Sequence, residues 1–312
     1  MKSLLVGLAA AATVAFALPA PVQAKDIRII MITHGQSNDP FWSVVKNGAA
    51  QAAKDTGVQV DYRAPESFDM VAQAQLIDAA VNQKPDGLAV VITDPSALGP
   101  SIKKAVAAGI PVISLNSGSD VSKSLGALLH VGQDEYDAGK AAGEKLKELG
   151  AKKGLCVNHE VGNVALDTRC KGFADGFGGS VTVLPSANDP AEVQSKVKAA
   201  LASNPDVDAI LTLTASLGGE PAVKAVAEAG LEGKVHVASF DLSAGFLKDV
   251  ADGKADFAID QQQYLQGYLP VVFLALYAKY GVIPGGNVPS GPNLITKDKA
   301  GQVVQLSAEG IR

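Results

Sequence analysis

DIRIIMIT (26–33) is followed, past a polar loop, by FWSVVKNGAAQAAKDT (41–56), and the way these two stretches read decides how the chain folds. The first is a short, β-branched, almost wholly apolar run, which predicts a buried strand. The second spaces its apolar residues for one face of a helix and stops at Gly57. The alternation continues with a strand at 58–62, a helix at 69–82, a strand at 87–92, a helix at 97–108 and a strand at 111–115. It then restarts. Helices at 134–149, 167–177, 190–203, 220–229 and 244–252 alternate with strands at 154–158, 180–184, 209–214, 235–240 and 257–260. Apolar strands that alternate with helices imply βαβ units, hence parallel sheets covered on both faces. Two successive α/β sheets joined at LLHVGQD (128–134) are the simplest account, with one large sheet as the alternative. The long apolar segment 263–280 is interrupted by Gln266, Pro270 and Lys279. It reads as a packed helix rather than a membrane span, and after the turn-rich IPGGNVPSGP (283–292) residues 293–296 read as a late strand.

Ahead of the first strand, MKSLLVGLAAAATVAFALPAPVQA (1–24) has the plan of a secretory signal peptide: Lys2, an apolar run over 4–18, and small residues at the cleavage positions. The run is short for a membrane anchor, which is the alternative. An exported chain is a poor candidate for catalysis that depends on cytoplasmic ATP or NAD. Losing Lys2 takes the formal charge from −5 to −6, and a mildly acidic chain argues against a nucleic-acid surface. The two cysteines, Cys156 and Cys170, lie fourteen apart with no His or Cys at zinc-ligand spacing. In an exported protein they are expected to form a disulfide, two buried thiols being the alternative, and no metal or cofactor is expected.

Ligands of open α/β sheets bind outside the carboxyl ends of the strands. The loops that follow 33, 92, 115, 158, 214, 240 and 260 are therefore the ones to inspect. THGQSNDPFW (33–42) puts Asn38 or Asp39 at a helix cap and two aromatics, Phe41 and Trp42, in the first turn. One of them can be core, but Trp42, the chain's one tryptophan, sits beside a polar loop. Aromatic faces pack on the C–H faces of sugars while carboxylates and amides take the hydroxyls. Asn116 (SLNSG), Asp241 (SFDLS) and Arg169, one residue before Cys170, stand at corresponding places. A fixed Arg fork or a carboxylate can engage vicinal hydroxyls twice, though Arg169 also reads as a surface ion pair. His34, His159 with Glu160, and Asp241 could be cast as acid and base, but HEVGN lacks the second His of HExxH. No GxSxG elbow or Walker loop occurs, so His159 reads as a loop hydrogen-bonder and no enzyme activity is expected.

In order along the chain, NDPFW, TDPSAL, PVISLN, HVGQDEYDAGKAAGE, TRCKGF, ASFD and AIDQQ resemble the periplasmic binding proteins of the ribose and galactose type. These serve sugar ABC importers and share their fold with the ligand domains of the Lac repressor family. The resemblance implies two doubly wound parallel-sheet lobes joined by a three-segment hinge, with crossings near 131–133, 261–262 and 289–292. It assigns residues 25–130 with 262–290 to one lobe and 131–261 with 291–312 to the other. It also implies closure of the lobes on a small sugar or polyol, delivered in the periplasm to the importer's membrane subunits and, in some systems, shown to a chemoreceptor by a monomeric receptor. The family's first-loop Asn, Pro and two aromatics fall on Asp39, Pro40, Phe41 and Trp42, its Asp-Arg pair on Asn116 and Ser117, and its sugar-binding Arg on Arg169. Further site positions fall near Asp189 and on Thr214, Asp241 and Gln261. Positions 39, 116, 117 and 214 depart from the ribose pattern, which argues against ribose itself. A first loop longer than usual brings His34 and Gln36 toward the cleft. THGQ, DPFW and DQQQYLQGY resemble a branch that includes binders of pentitols and related polyols. A secreted carbohydrate-modifying enzyme and a receptor for a non-sugar molecule are the rival readings. A regulator would need a helix-turn-helix where this chain has its leader.

Overall fold

The computed structural model describes residues 26–35 and 39–312, so the leader expected at 1–24 and the candidate contact Gln36 lie outside the described residues. The first half runs β1 (Arg28–Ile32), α1 (Pro40–Thr56), β2 (Gln59–Arg63), α2 (Met70–Asn82), β3 (Gly87–Val91), α3 (Pro95–Ala107), β4 (Val112–Asn116) and β5 (His130–Gly132). The second half repeats the plan with α4 (Glu135–Glu148), β6 (Lys153–Asn158), α5 (Val164–Phe177), β7 (Ser180–Pro185), α6 (Pro190–Ser203), β8 (Ala209–Thr212), α7 (Glu220–Glu228), β9 (His236–Phe240), α8 (Ala244–Asp252) and β10 (Phe257–Asp260). It ends with α9 (Gln263–Tyr280), β11 (Val288–Pro289), β12 (Asn293–Thr296) and α10 (Lys297–Ala308).

The strands form two sheets rather than one, ordered β11-β5-β4-β3-β1-β2 and β12-β10-β9-β8-β6-β7. Strand for strand the two orders correspond, and every pairing is parallel except that of β10 with β12. The chain passes between the sheets three times: from β5 to β6, from β10 to β11 and from β11 to β12. β3 and β4 are buried along their whole length because helices cover both faces, as the unbroken apolar run GLAVV requires, and in VISLN the buried Ser114 hydroxyl is satisfied by Ser122 and His130. Each sheet carries a packed layer of Ile, Val, Leu and Phe on either side. Among the described residues no helix is long and apolar enough to cross a membrane, and α9 packs over the first sheet with Val271 and Leu274 fully buried.

Several boundaries differ from the sequence expectation for identifiable reasons. α3 starts at Pro95, because Asp94 caps it through the N–H groups of Ser96 and Ala97. α5 starts at Val164, because Asn163 Oδ1 accepts the Ala165 N–H. β5 and β11 have three and two residues, too few to show a period, and α10 buries only Ala300 and Val303. Cys156 on β6 and Cys170 on α5 form the expected disulfide.

Candidate functional site

Two glycines, one on each helix, set the close approach of α4 and α5 beside the cleft. On α4, Gly139 lies so close to α5 that an added Cβ would stand 2.1 Å from the Arg169 carbonyl oxygen, and Gly172 is as tightly placed against Tyr136. This close approach lets Glu135, at the head of α4, reach Arg169 on α5. Arg169 Nε donates to Glu135 Oε2 at 2.5 Å and Nη2 to Oε1 at 3.1 Å, and both side chains are nearly fully buried. The guanidinium lies 4.5 Å above the Phe240 ring, and the neighbouring Cys156–Cys170 bridge ties its helix to β6. Arg169 is thus a buried, oriented fork and not a surface ion pair.

The carboxyl ends of both sheets converge on one small cavity, of about 30 Å³. From the first sheet it is lined by His34, Asp39, Phe41, Trp42, Asn116 and Ser117. From the second come His159, Glu160, Asn163, Leu166, Arg169, Leu213 and Asp241, with Gln261 at a crossing between the sheets. Larger hollows lie against Ile92, Asp120 and Tyr136 and outside Trp42, but neither gathers convergent buried polar groups.

Local backbone chemistry aims these side chains. Asp39 caps α1 by accepting the Phe41 N–H on Oδ1 at 3.0 Å, and Pro40 takes the first helical position, where a missing N–H costs nothing. Asn116 ends β4 and Asp241 follows the corresponding strand β9, and both are held at positive φ, 61° and 70°. Non-glycine residues rarely adopt that conformation, and Asn and Asp tolerate it best. Such strain gathers at functional sites, where the surrounding fold sustains it. Gln261 Nε2 donates to Asp241 Oδ1 at 2.5 Å, while Asn116 Nδ2 donates to Gln266 Oε1 at 3.1 Å. Gln266 in turn bonds the Gln261 carbonyl and the Ser290 hydroxyl, so the glutamine run 261–266 braces two of the crossings.

Burial dominates the electrostatics. It raises the Asp39 carboxyl to about 7, against the Phe41 N–H, and Glu160 adds to the rise. It likewise raises Asp241 to about 7, against the Arg169 charge and the Gln261 bond, with Asp39 and Glu135 adding to the rise. Burial lowers His159 to about 4. Burial alone would raise Glu160 too, but the charge and hydrogen bond of His34, with His159 and the Asn163 amide, hold it well below the usual carboxylate range. Two carboxyl groups from opposite sheets thus face one cavity and suit hydroxyl donors.

Of the residues expected from sequence, the structure brings His34, Asp39, Phe41, Trp42, Asn116, Arg169, Asp241 and Gln261 to this cavity. It does not bring Asp189 there: that residue is exposed in the loop after the edge strand β7 and caps α6 through the Ala191 and Glu192 N–H groups. Thr214 is buried but opens the π-turn 215–219, and its neighbour Leu213 lines the cavity instead. His159 and Glu160 were weighed only as an acid–base pair and His159 was read as a loop hydrogen-bonder, while Asn163 and Glu135 were not expected as site groups. The placement of NHE directly after β6 was the available signal, and Glu135, an ordinary first-turn acid, offered none.

A family model described as a periplasmic binding protein domain matches residues 29–281. The xylose/arabinose-binding protein XylF of Sulfolobus acidocaldarius is 26% identical over 269 residues, which is 80% of this chain and 66% of that protein. The solved structure of a carbohydrate transporter from Acidothermus cellulolyticus in complex with myo-inositol is 39% identical, with a TM-score of 0.87, covering 92% of this chain and 99% of that one. An ABC transporter solute-binding protein from Burkholderia graminis in complex with D-arabinose is 25% identical, with a TM-score of 0.79, over 88% of this chain and 97% of that one.

Proposed function

The chain belongs to the periplasmic binding protein family, and on that premise we propose that it binds one small neutral polyol or sugar between its lobes and passes it to an ABC importer. It is a binding protein and not an enzyme. The observation that carries this reading is the pairing of buried carboxyl groups across the cleft, Asp39 from the first lobe and Asp241 from the second, around a single cavity walled by Trp42. A ligand whose hydroxyls bond both groups holds the lobes together, and closure then follows from its differential affinity for the closed form.

The cavity's 30 Å³ is only a few times the roughly 10–15 Å³ that a water needs on the same measure. A cavity this small favours a compact ligand over an oligosaccharide. Because the myo-inositol-bound structure is the more similar of the two ligand complexes, we place cyclitols first and pentoses second. Candidate contacts are His34, Gln36, Asp39, Phe41, Trp42, Asn116, Arg169, Asp241 and Gln261. In this reading the lobes comprise 25–130 with 262–290, and 131–261 with 291–312, and hinge near 131–133, 261–262 and 289–292. The 1–24 leader directs export and is removed. The closed monomer is read by the importer's membrane subunits, with a chemoreceptor as a further reader.

The test is a thermal-shift series of the mature protein with myo-inositol, D-arabinose, D-xylose, D-ribose, D-allose and four- to six-carbon alditols. A ligand at 100 times its Kd adds about 2.7 kcal/mol to the native state. A shift with one stereochemical set, lost in Asp241→Ala, supports the reading. No shift with any of them refutes the ligand class and favours a non-sugar molecule.

A further inference from the structure

His34 and Glu160 meet across the cleft. His34 Nε2 stands 3.3 Å from Glu160 Oε2, and both side chains are more than nine-tenths buried. Each partner is held by its own lobe. The His34 ring lies edge-on to Trp42 at 4.7 Å and to Phe68 at 5.7 Å between centroids, which fixes its plane. On the other side, Asn163 Nδ2 donates to Glu160 Oε2 at 2.8 Å and Asn188 Nδ2 to Oε1 at 3.2 Å, while Asn158 Oδ1 accepts the Glu160 N–H at 3.0 Å. With both of its oxygens engaged, the Glu160 carboxylate has little left to offer a ligand hydroxyl. Close by, the Val164 N–H at the head of α5 donates to the Thr93 carbonyl beyond β3 at 3.1 Å, a second bond between the lobes that needs no ligand atom.

We infer that His34 and Glu160 are a closure latch, a pair that positions the lobes and stabilises the closed form before any ligand contributes. The inference rests on the receptor reading above. Opening strips Glu160 of its hydrogen-bond partner from the other lobe, and buried polar pairs of this kind govern how fast a complex comes apart. The latch thus raises the fraction of ligand-free protein that is already closed and slows release of bound ligand. The groups facing His34 are Glu160 and His159 from the second lobe and Trp42 and Phe68 from its own, with Asp39 interacting with Glu160 and Arg169 with His159 through charge.

The decisive measurement is small-angle scattering of the ligand-free mature protein, comparing wild type with His34→Gln, His34→Leu and His34→Glu. Gln keeps an N–H donor, Leu removes it and Glu opposes like charge to Glu160, so compaction should fall in the order wild type, Gln, Leu, Glu. Gln and Leu both lose the ring, so their difference reports the hydrogen bond even where both variants are less stable than wild type. Stopped-flow release of myo-inositol, or of whichever sugar binds in the thermal-shift series, should be about tenfold faster in His34→Leu than in wild type. Indistinguishable ligand-free scattering for all four proteins overturns the latch, whatever the sugars do. Latch-dependent compaction without binding of any sugar would refute the proposed ligand class and leave the latch standing.

Discussion

Replacing Arg169 by Met should cost far more stability than replacing Arg169 and Glu135 together. Glu135 is 6% exposed and its carboxylate oxygens accept from Arg169 Nε and Nη2, with one further bond from Gln133 Nε2. Taking away the Arg leaves a desolvated carboxylate with a single amide donor, and breaking one side of such a pair typically costs about 3–5 kcal/mol. Met keeps apolar contact with Phe240, so little of that cost comes from lost packing. In Glu135→Leu/Arg169→Met the buried charge disappears with its partner, and apolar replacement of a buried pair is often close to neutral. Urea unfolding of the four proteins therefore closes a cycle with a coupling of about 3 kcal/mol or more. Ligand binding should separate from stability: calorimetric titration with the ligand found by thermal shift should show it lost in both Arg169 variants, because the guanidinium lines the cavity. An Arg169→Met protein within about 1 kcal/mol of wild type would refute the account of Glu135, and binding that returns in the double variant would refute the role given to Arg169.

Further outcomes follow from the same geometry. Asp39 and Asp241 sit near 7 in the closed form against an ordinary value of 3.8, so closure takes up protons. Closure of the ligand-free protein is therefore favoured as pH falls through about 7 toward 4 and opposed above it, and Asp39→Asn should flatten that dependence in scattering measured at about pH 5.5 and 8. Trp42, the one tryptophan, lies against His34 inside the site, so ligand should change the protein's tryptophan emission, and His34→Leu should alter the ligand-free spectrum. Reducing or deleting the Cys156–Cys170 bridge, which closes a fourteen-residue separation, should destabilise the second lobe by about 3 kcal/mol in urea. Arg312→Ala removes the guanidinium that donates from Nε and Nη2 to the fully buried Asp260 beside a crossing, and should lower the urea midpoint more than Asn47→Ala, which loses only an exposed bond to the Gly310 carbonyl.

The local pattern of residues was enough to read the two-sheet architecture. Strand runs such as GLAVV, and VISLN apart from Ser114 and Asn116, are apolar because both faces of a parallel sheet are covered, and that demand is written in the chain itself. The first cap was legible for the same reason: Asp39 does its work within two residues of itself. Asp189 was reached through the family resemblance alone, and the structure gives it a cap at the start of α6 instead. What tertiary structure alone decided is which loops meet. Glu135 meets Arg169, 34 residues away, only because Gly139 lets two helices touch, and Asn116 meets Gln261 and Gln266 across about 150 residues of chain. The His34–Glu160 contact exists only once both lobes have folded and closed. Periodicity records the burial of a single element, whereas convergence of distant loops depends on how elements pack, and no local window of sequence contains that information.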